Sequence, residues 1–246
     1  MNLTSLTKPI VEGSAHIWTA DLIVWRSYAE RLRSLLSEEE KDRLARLKIT
    51  NKREEFLCSR GILRIILSRY VAEDPDKLPI NYTPAGKPFL PGTGIQFNIS
   101  HSKDFLLCGI SLNKQIGLDI QEIYSISSLD RIINNFFSPA ETRYLHTLPS
   151  GETYREHFFA IWTAKESYLK AVGDGIQGSF NQISIIPESV DLKIFKLDLP
   201  DTPKTEMNWT IKSVEVSQGY SAALAYDGKL DKVRRFEFLP EDFFTS

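Results

Sequence analysis

The stretch Phe158-Phe159-Ala160-Ile161-Trp162-Thr163-Ala164-Lys165-Glu166-Ser167-Tyr168-Leu169-Lys170-Ala171-Val172-Gly173 puts apolar residues at 158, 161, 162, 168, 169 and 172. They fit one broad face of a helix, and Gly173 is a stop signal just past its end. So wide an apolar face predicts a helix buried on most sides, yet it carries Lys165, Glu166 and Lys170. Glu166 and Lys170 are four apart and lie on the side of Trp162, one turn above the other. Charges at the edge of such a helix must be paired, neutralised or turned on a ligand. From the helix alone, an ordinary ion pair and a ligand-facing pair stand as equal readings.

Working outward, residues 15–24 alternate as a strand and residues 26–36 pattern as a helix. Ser37-Glu38-Glu39-Glu40 reads as an N-cap with an acidic first turn. A longer helix is expected over 51–71, with Phe56, Leu57, Ile62, Leu63, Ile66, Leu67 and Tyr70 on its buried face and Arg60 and Arg64 sharing one side. Strand-like runs follow at 80–83, 89–90, 95–99, 105–112 and 116–121, separated by turns that include 84–88 and 113–115. Helices recur at 128–136, at 138–147 behind Ser138-Pro139, and at 153–172. Runs at 183–186, 192–197, 209–216, 222–226 and 233–238 read as a mostly antiparallel set of strands. Helices and strands come in blocks, which predicts an α+β fold rather than a doubly wound sheet. The order helices-then-strands occurs twice, with a seam near 113–116, so the expected halves are 1–113 and 114–246.

At 246 residues, with 42% hydrophobic and 25% charged residues, the chain has the composition of a soluble globular protein. A net charge of -2 argues against a general nucleic-acid binder. Residues 26–69 nonetheless hold 12 Lys/Arg against 7 Asp/Glu, an excess that suits an acidic partner or simply a solvated helix face. Cys58 and Cys108 sit in apolar surroundings and form no zinc pattern, as expected of thiols in a reducing compartment. The N-terminal stretch has no charged start followed by an apolar run, and no run is long enough to span a membrane. A cytoplasmic protein with no membrane partner is the expectation.

Three turns or strand ends carry polar groups that local structure does not require. Gly86-Lys87-Pro88 is a turn with a lysine. Asn98-Ile99-Ser100-His101-Ser102 gathers hydroxyls, an imidazole and freed backbone N–H groups at a strand end, which suits an anion or ordinary turn chemistry. It is no nucleophile–base pair, because adjacent residues point in different directions. In Gly117-Leu118-Asp119-Ile120-Gln121-Glu122 the strand period sets Asp119 and Gln121 on one face and Leu118 and Ile120 on the other. An Asp inside a strand is disfavoured; capping a neighbouring turn or holding a hard divalent cation together with phosphates would each explain it.

In order and spacing, these segments together with Phe136-Phe137-Ser138-Pro139-Ala140-Glu141 and Trp162-Thr163-Ala164-Lys165-Glu166 closely resemble the 4'-phosphopantetheinyl transferases of the Sfp type, from about residue 37 to residue 180. The resemblance implies two similar α+β halves packed pseudo-symmetrically, with coenzyme A between them. It implies Asp119 and Glu166 as magnesium ligands. Lys87, Ser100 and His101, with Asn98 in the same motif, would contact the coenzyme's phosphates and nucleotide. Lys165 and Lys170 would lie near the diphosphate, and Arg60 near the 3'-phosphate. Bacterial relatives commonly carry Asp-x-Glu where this chain has Asp119 and Gln121, and Glu122 should face the other way. Gln121 would then ligate through its amide oxygen or hold a water, leaving a site with one charge fewer.

The implied reaction is attack by a serine hydroxyl of an apo acyl or peptidyl carrier protein on the β-phosphate of coenzyme A, releasing 3',5'-ADP. Glu166, directly or through a metal-bound water, would accept the serine proton, with Lys170 and Lys165 offsetting charge on the leaving group. A two-half chain could complete its site as a monomer. The rival is a non-catalytic coenzyme or carrier-binding module of the same fold, for which only Gln121 speaks.

Overall fold

The computed structural model describes residues 9–71, 73–173, 180–199 and 208–244; the start of the chain read above for a leader falls outside these. The chain divides into two compact units: Met1–Asn113 with Lys232–Ser246, and Lys114–Asp231.

In the first unit, β1 (Ser14–Asp21) leads into α1 (Leu22–Arg26), α2 (Ala29–Ser34), α3 (Glu38–Arg46) and α4 (Thr50–Ser68). The short pair β2 (Asn81–Tyr82) and β3 (Pro88–Phe89) follows, then the hairpin β4 (Ile95–Ser102) and β5 (Phe105–Leu112). Strand β1 stops earlier than its apolar run predicts. The Asp21 carboxylate accepts the Ile23 N–H at 2.8 Å and starts α1, leaving Ile23 and Val24 exposed. The α4 residues Ile62, Leu63, Ile66 and Leu67 pack into one core with Trp18, Trp25, Leu32, Phe97, Cys108 and Ile110.

The second unit begins at β6 (Ile116–Glu122) and runs through α5 (Leu129–Phe136), α6 (Pro139–His146) and α7 (Glu152–Val172). It closes with β7 (Ser184–Pro187), β8 (Ile194–Asp198), β9 (Trp209–Ser213) and β10 (Tyr220–Asp227). Its antiparallel sheet has the order β6-β10-β9-β8-β7, and α7 packs on it. Helix α7 ends where Gly173 takes a left-handed conformation (φ 83°) and its N–H bonds to Leu169 O at 2.9 Å.

The last strand, β11 (Lys232–Glu237), does not join that sheet. It pairs parallel with β1, with Trp18 opposite Phe236, so the first sheet has the order β11-β1-β5-β4. The second half expected at 114–246 therefore ends at Asp231, and the expected antiparallel set loses its final member. The cause is aromatic: Phe236 stacks on Trp18 with ring centroids 4.5 Å apart, and Trp25 Nε1 donates to Phe238 O at 3.0 Å. Alternation marks 233–238 as a strand but does not choose its neighbour.

Both units contain the same buried device. Ser37 and Glu40 form a capping box at the start of α3, and Glu40 Oε2 also accepts from Arg64 Nε of α4 at 2.6 Å. Ser138 and Glu141 form a capping box at the start of α6, and Glu141 also accepts from Lys165 Nζ of α7 at 2.7 and 2.9 Å. In each unit the cation lies 24 residues after its glutamate, on the long helix. Each cation also donates to backbone carbonyls further along the chain, Arg64 to Pro75 and Leu78 and Lys165 to Ile183. The fold is α+β, and the two units are variations on one plan.

A buried cation left without its carboxylate is strongly unfavourable. Glu40→Ala should destabilise the first unit by about 3 kcal/mol, the scale of a broken buried pair, as read from urea unfolding followed by tryptophan fluorescence.

Candidate active site

Strand β6 and helix α7 meet at Gly117. A Cβ placed there would lie 1.9 Å from Ser167 O and 2.5 Å from Ala171 N, so only glycine lets the helix backbone rest on the strand. This contact sets the helix rotation. Ser167 faces β6, and Thr163, a turn earlier, reaches Ser221 Oγ of β10 at 3.1 Å. Asp119 stands opposite Ala223 and Gln121 opposite Ser221, on the face of β6 turned toward α7. Leu118 and Ile120 are buried on the other face.

Asp119 and Lys170 are brought together here: Lys170 Nζ donates to Asp119 Oδ1 at 2.6 Å. Glu166 is buried beside them. Burial raises its pKa above the usual carboxylate range, the Asp119 charge adds to that, and Lys170 opposes it. Two buried carboxylates that repel each other across a small space, with an amide oxygen on the same strand face, are a hard oxygen donor set that fits magnesium. Among the described residues no group of three or more His, Cys, Asp or Glu gathers anywhere.

Lys165 departs from the expectation. It is fully buried, and its ammonium donates to both Glu141 oxygens and to Ile183 O at 2.6 Å, with the Phe137 and Phe180 rings alongside. Its three protons are committed, so it cannot also serve a diphosphate. Burial raises the Glu141 pKa and lowers that of Lys165, while the mutual attraction opposes both shifts. Glu141 was readable as a helix cap through the Ser138-x-x-Glu141 spacing, but its partner on α7 was not.

In the first unit, Asn98 and Ser100 are buried on one face of β4. His101 lies on the face of Phe97 and Ile99 and is exposed at the strand end. Lys87 closes a tight turn in which Gly86 adopts φ 84°, Gly86 N–H bonds to Thr83 O at 2.8 Å, and Thr83 N–H bonds to Lys87 O at 2.9 Å. Burial alone pulls the Lys87 pKa down to about 8. Arg60 and Arg64, taken together in the sequence, separate. Arg64 is locked inside, whereas the Arg60 guanidinium packs on Phe56 and Tyr82, 5.6 Å from each ring centroid. Arg60 Nη1 is buried without a hydrogen-bond acceptor. Arg43, which the sequence reading passed over, lies on the same Phe56 ring at 5.3 Å.

Comparison with known proteins bears directly on this arrangement. The 4'-phosphopantetheinyl transferase superfamily profile matches residues 115–225, and that of the 4'-phosphopantetheinyl transferase N-terminal region matches residues 23–111. The 4'-phosphopantetheinyl transferase HetI of Nostoc sp. is 36% identical over 181 residues, spanning 70% of this chain and 76% of that protein. The chain belongs to the 4'-phosphopantetheinyl transferase superfamily. An L-aminoadipate-semialdehyde dehydrogenase-phosphopantetheinyl transferase of Xenopus laevis is 26% identical over 95% of this chain and 82% of its own length. The transferase Sfp of Bacillus subtilis is 28% identical over 79% and 84%. This phosphopantetheinyl transferase is thus an enzyme of that class, and among its described residues no helix is long and apolar enough to cross a membrane.

The transferase's dependence on the bare backbone at 117 is open to test. Gly117→Ala should lower the unfolding free energy by about 3 kcal/mol, the upper scale of overpacking, because backbone rather than a flexible side chain blocks the new methyl. Urea unfolding with circular dichroism measures it.

Proposed function

We propose that the enzyme transfers the 4'-phosphopantetheine group of coenzyme A to a serine of an apo acyl or peptidyl carrier protein, releasing 3',5'-ADP, with magnesium as cofactor. The observation that carries this is the Asp119–Glu166–Lys170 grouping, two buried carboxylates and an ammonium set on one face of β6 by the Gly117 contact. Asp119 and Glu166 would hold the cation, with Gln121 as a third oxygen donor. Magnesium bound there would supply positive charge for the diphosphate, acting as a Lewis acid.

The chain's own residues do the rest. Lys170, on a flexible stem at the rim, neutralises charge on the departing 3',5'-ADP. Glu166, buried on α7 beside the Asp119–Lys170 pair, takes the serine proton. Arg60, with its buried and unsatisfied Nη1 and aromatic support, suits the 3'-phosphate, and Arg43 on the same ring suits the same charge. Lys87 and the Asn98, Ser100 and His101 segment are assigned to the nucleotide and its phosphates.

Intact-mass spectrometry of an apo carrier protein incubated with the enzyme, coenzyme A and magnesium tests the reading. A gain of one phosphopantetheine is expected; no gain on several acyl and peptidyl carriers would overturn it. Glu166→Gln should lower turnover by at least ~100-fold, as a lost general base does, while 3',5'-ADP binding measured by calorimetry persists. In a magnesium titration of activity, Gln121→Glu should reach half-saturation at lower magnesium than the wild type, since it restores a charged oxygen donor.

The Lys87 pKa gives a pH signature. Because it is depressed to about 8 in the fold, Lys87 is charged below that value and neutral above it, so affinity for 3',5'-ADP should fall as pH rises through it. Calorimetric titrations between about pH 7 and about pH 9 should show that fall for the wild type and a flatter profile for Lys87→Arg, whose guanidinium stays charged.

A further inference from the structure

The Lys170 ammonium approaches Asp119 from outside: the Lys170 side chain is 31% exposed, that of Asp119 is 2% exposed, and Nζ lies 2.6 Å from Oδ1. Glu166, four residues earlier on α7, lies within the influence of both, raised in pKa by the one and lowered by the other. Asp119 and Glu166 are both buried, and Lys170, a turn beyond Glu166 on the same side of α7, reaches Asp119 from the partly exposed rim. Their charges do not balance a lone divalent cation. The carboxylates alone would match it, but the ammonium adds a third positive charge beside them, and like charges in such surroundings repel strongly. A coenzyme diphosphate changes this, because it brings two negative charges of its own and offers the ammonium an alternative acceptor.

From this charge arrangement we infer that Lys170 restrains divalent-cation binding at the Asp119–Glu166 pair until a diphosphate draws its ammonium away, so that cation and coenzyme bind with positive coupling. The inference rests on the proposed metal site and adds a second task to Lys170: it gates the site as well as neutralising the leaving group. Its four-carbon stem has the reach to exchange one oxygen acceptor for another without movement of α7. By linkage, the cation strengthens coenzyme binding by the same factor as the coenzyme strengthens cation binding. The cation would therefore be bound tightly only alongside the substrate whose charge it neutralises.

The test uses the full chain and manganese(II) as the probe, with free ion followed by electron paramagnetic resonance and protein-free coenzyme A titrated as the control. Without coenzyme, Lys170→Met should bind manganese about tenfold more tightly than the wild type, within the usual range of coupling energies. Saturating coenzyme A should strengthen wild-type binding and change that of Lys170→Met much less. Lys170→Arg keeps the charge and should keep the weak binding. If Lys170→Met binds manganese no more tightly than the wild type while Asp119→Asn abolishes binding, the gate is overturned and the metal site stands. If Asp119→Asn binds as the wild type does, the metal site itself fails and the gate with it. Circular dichroism of each variant checks that the fold is retained.

Discussion

The site depends on a missing side chain. At Gly117 the α7 backbone lies directly on β6, closer than any Cβ permits, and this fixes both the height and the rotation of the helix. Once α7 is seated there, the i, i+3, i+7 stripe of Thr163, Glu166 and Lys170 is turned toward the polar face of β6. The apolar side of α7 is held by Ile185, Ile211, Ala223 and Ala225, residues small or branched enough to leave the helix close to the sheet. Asp119, Glu166 and Lys170 thus lie on two rigid elements rather than on loops, the arrangement that holds geometry best.

The buried pairs do a different kind of work. A glutamate that caps one helix and reaches a cation on the long helix ties together three parts of the chain: the helix start, the long helix and the segment whose carbonyls the cation also takes. Such pairs add little net stability over apolar packing, but they penalise any arrangement that leaves a member unpaired. In the second unit the tie lies one residue from Glu166, so it restrains the helix beside the Asp119–Lys170 pair.

Much of this was legible from the residues. The long amphipathic run at 153–172 is α7 almost to the residue, the Ser-x-x-Glu spacing marks two helix starts, and strand alternation puts Asp119 and Gln121 on one face. The misreadings have physical causes. Successive helix residues point about 100° apart, so Lys165 and Glu166, adjacent in the motif, face different partners. Only the buried Glu141 decides that Lys165 turns inward. The alternation in 233–238 identifies a strand, but the choice of β1 as its neighbour depends on stacking between residues more than 200 positions apart, which no local pattern records. The need for glycine at 117 is not legible in the strand, since a close approach is a property of two segments at once.

The strand order of the first sheet also bears on how the chain is made. The second unit is one continuous segment, whereas the first is begun before it and completed by β11, which follows it in the chain. During translation the central unit can settle as soon as its own residues have emerged, while β1 waits with one edge open and Trp18 without the ring that will cover it. The protein is therefore built as an insertion within an unfinished host. Its earliest folding hazard lies at that waiting edge of β1.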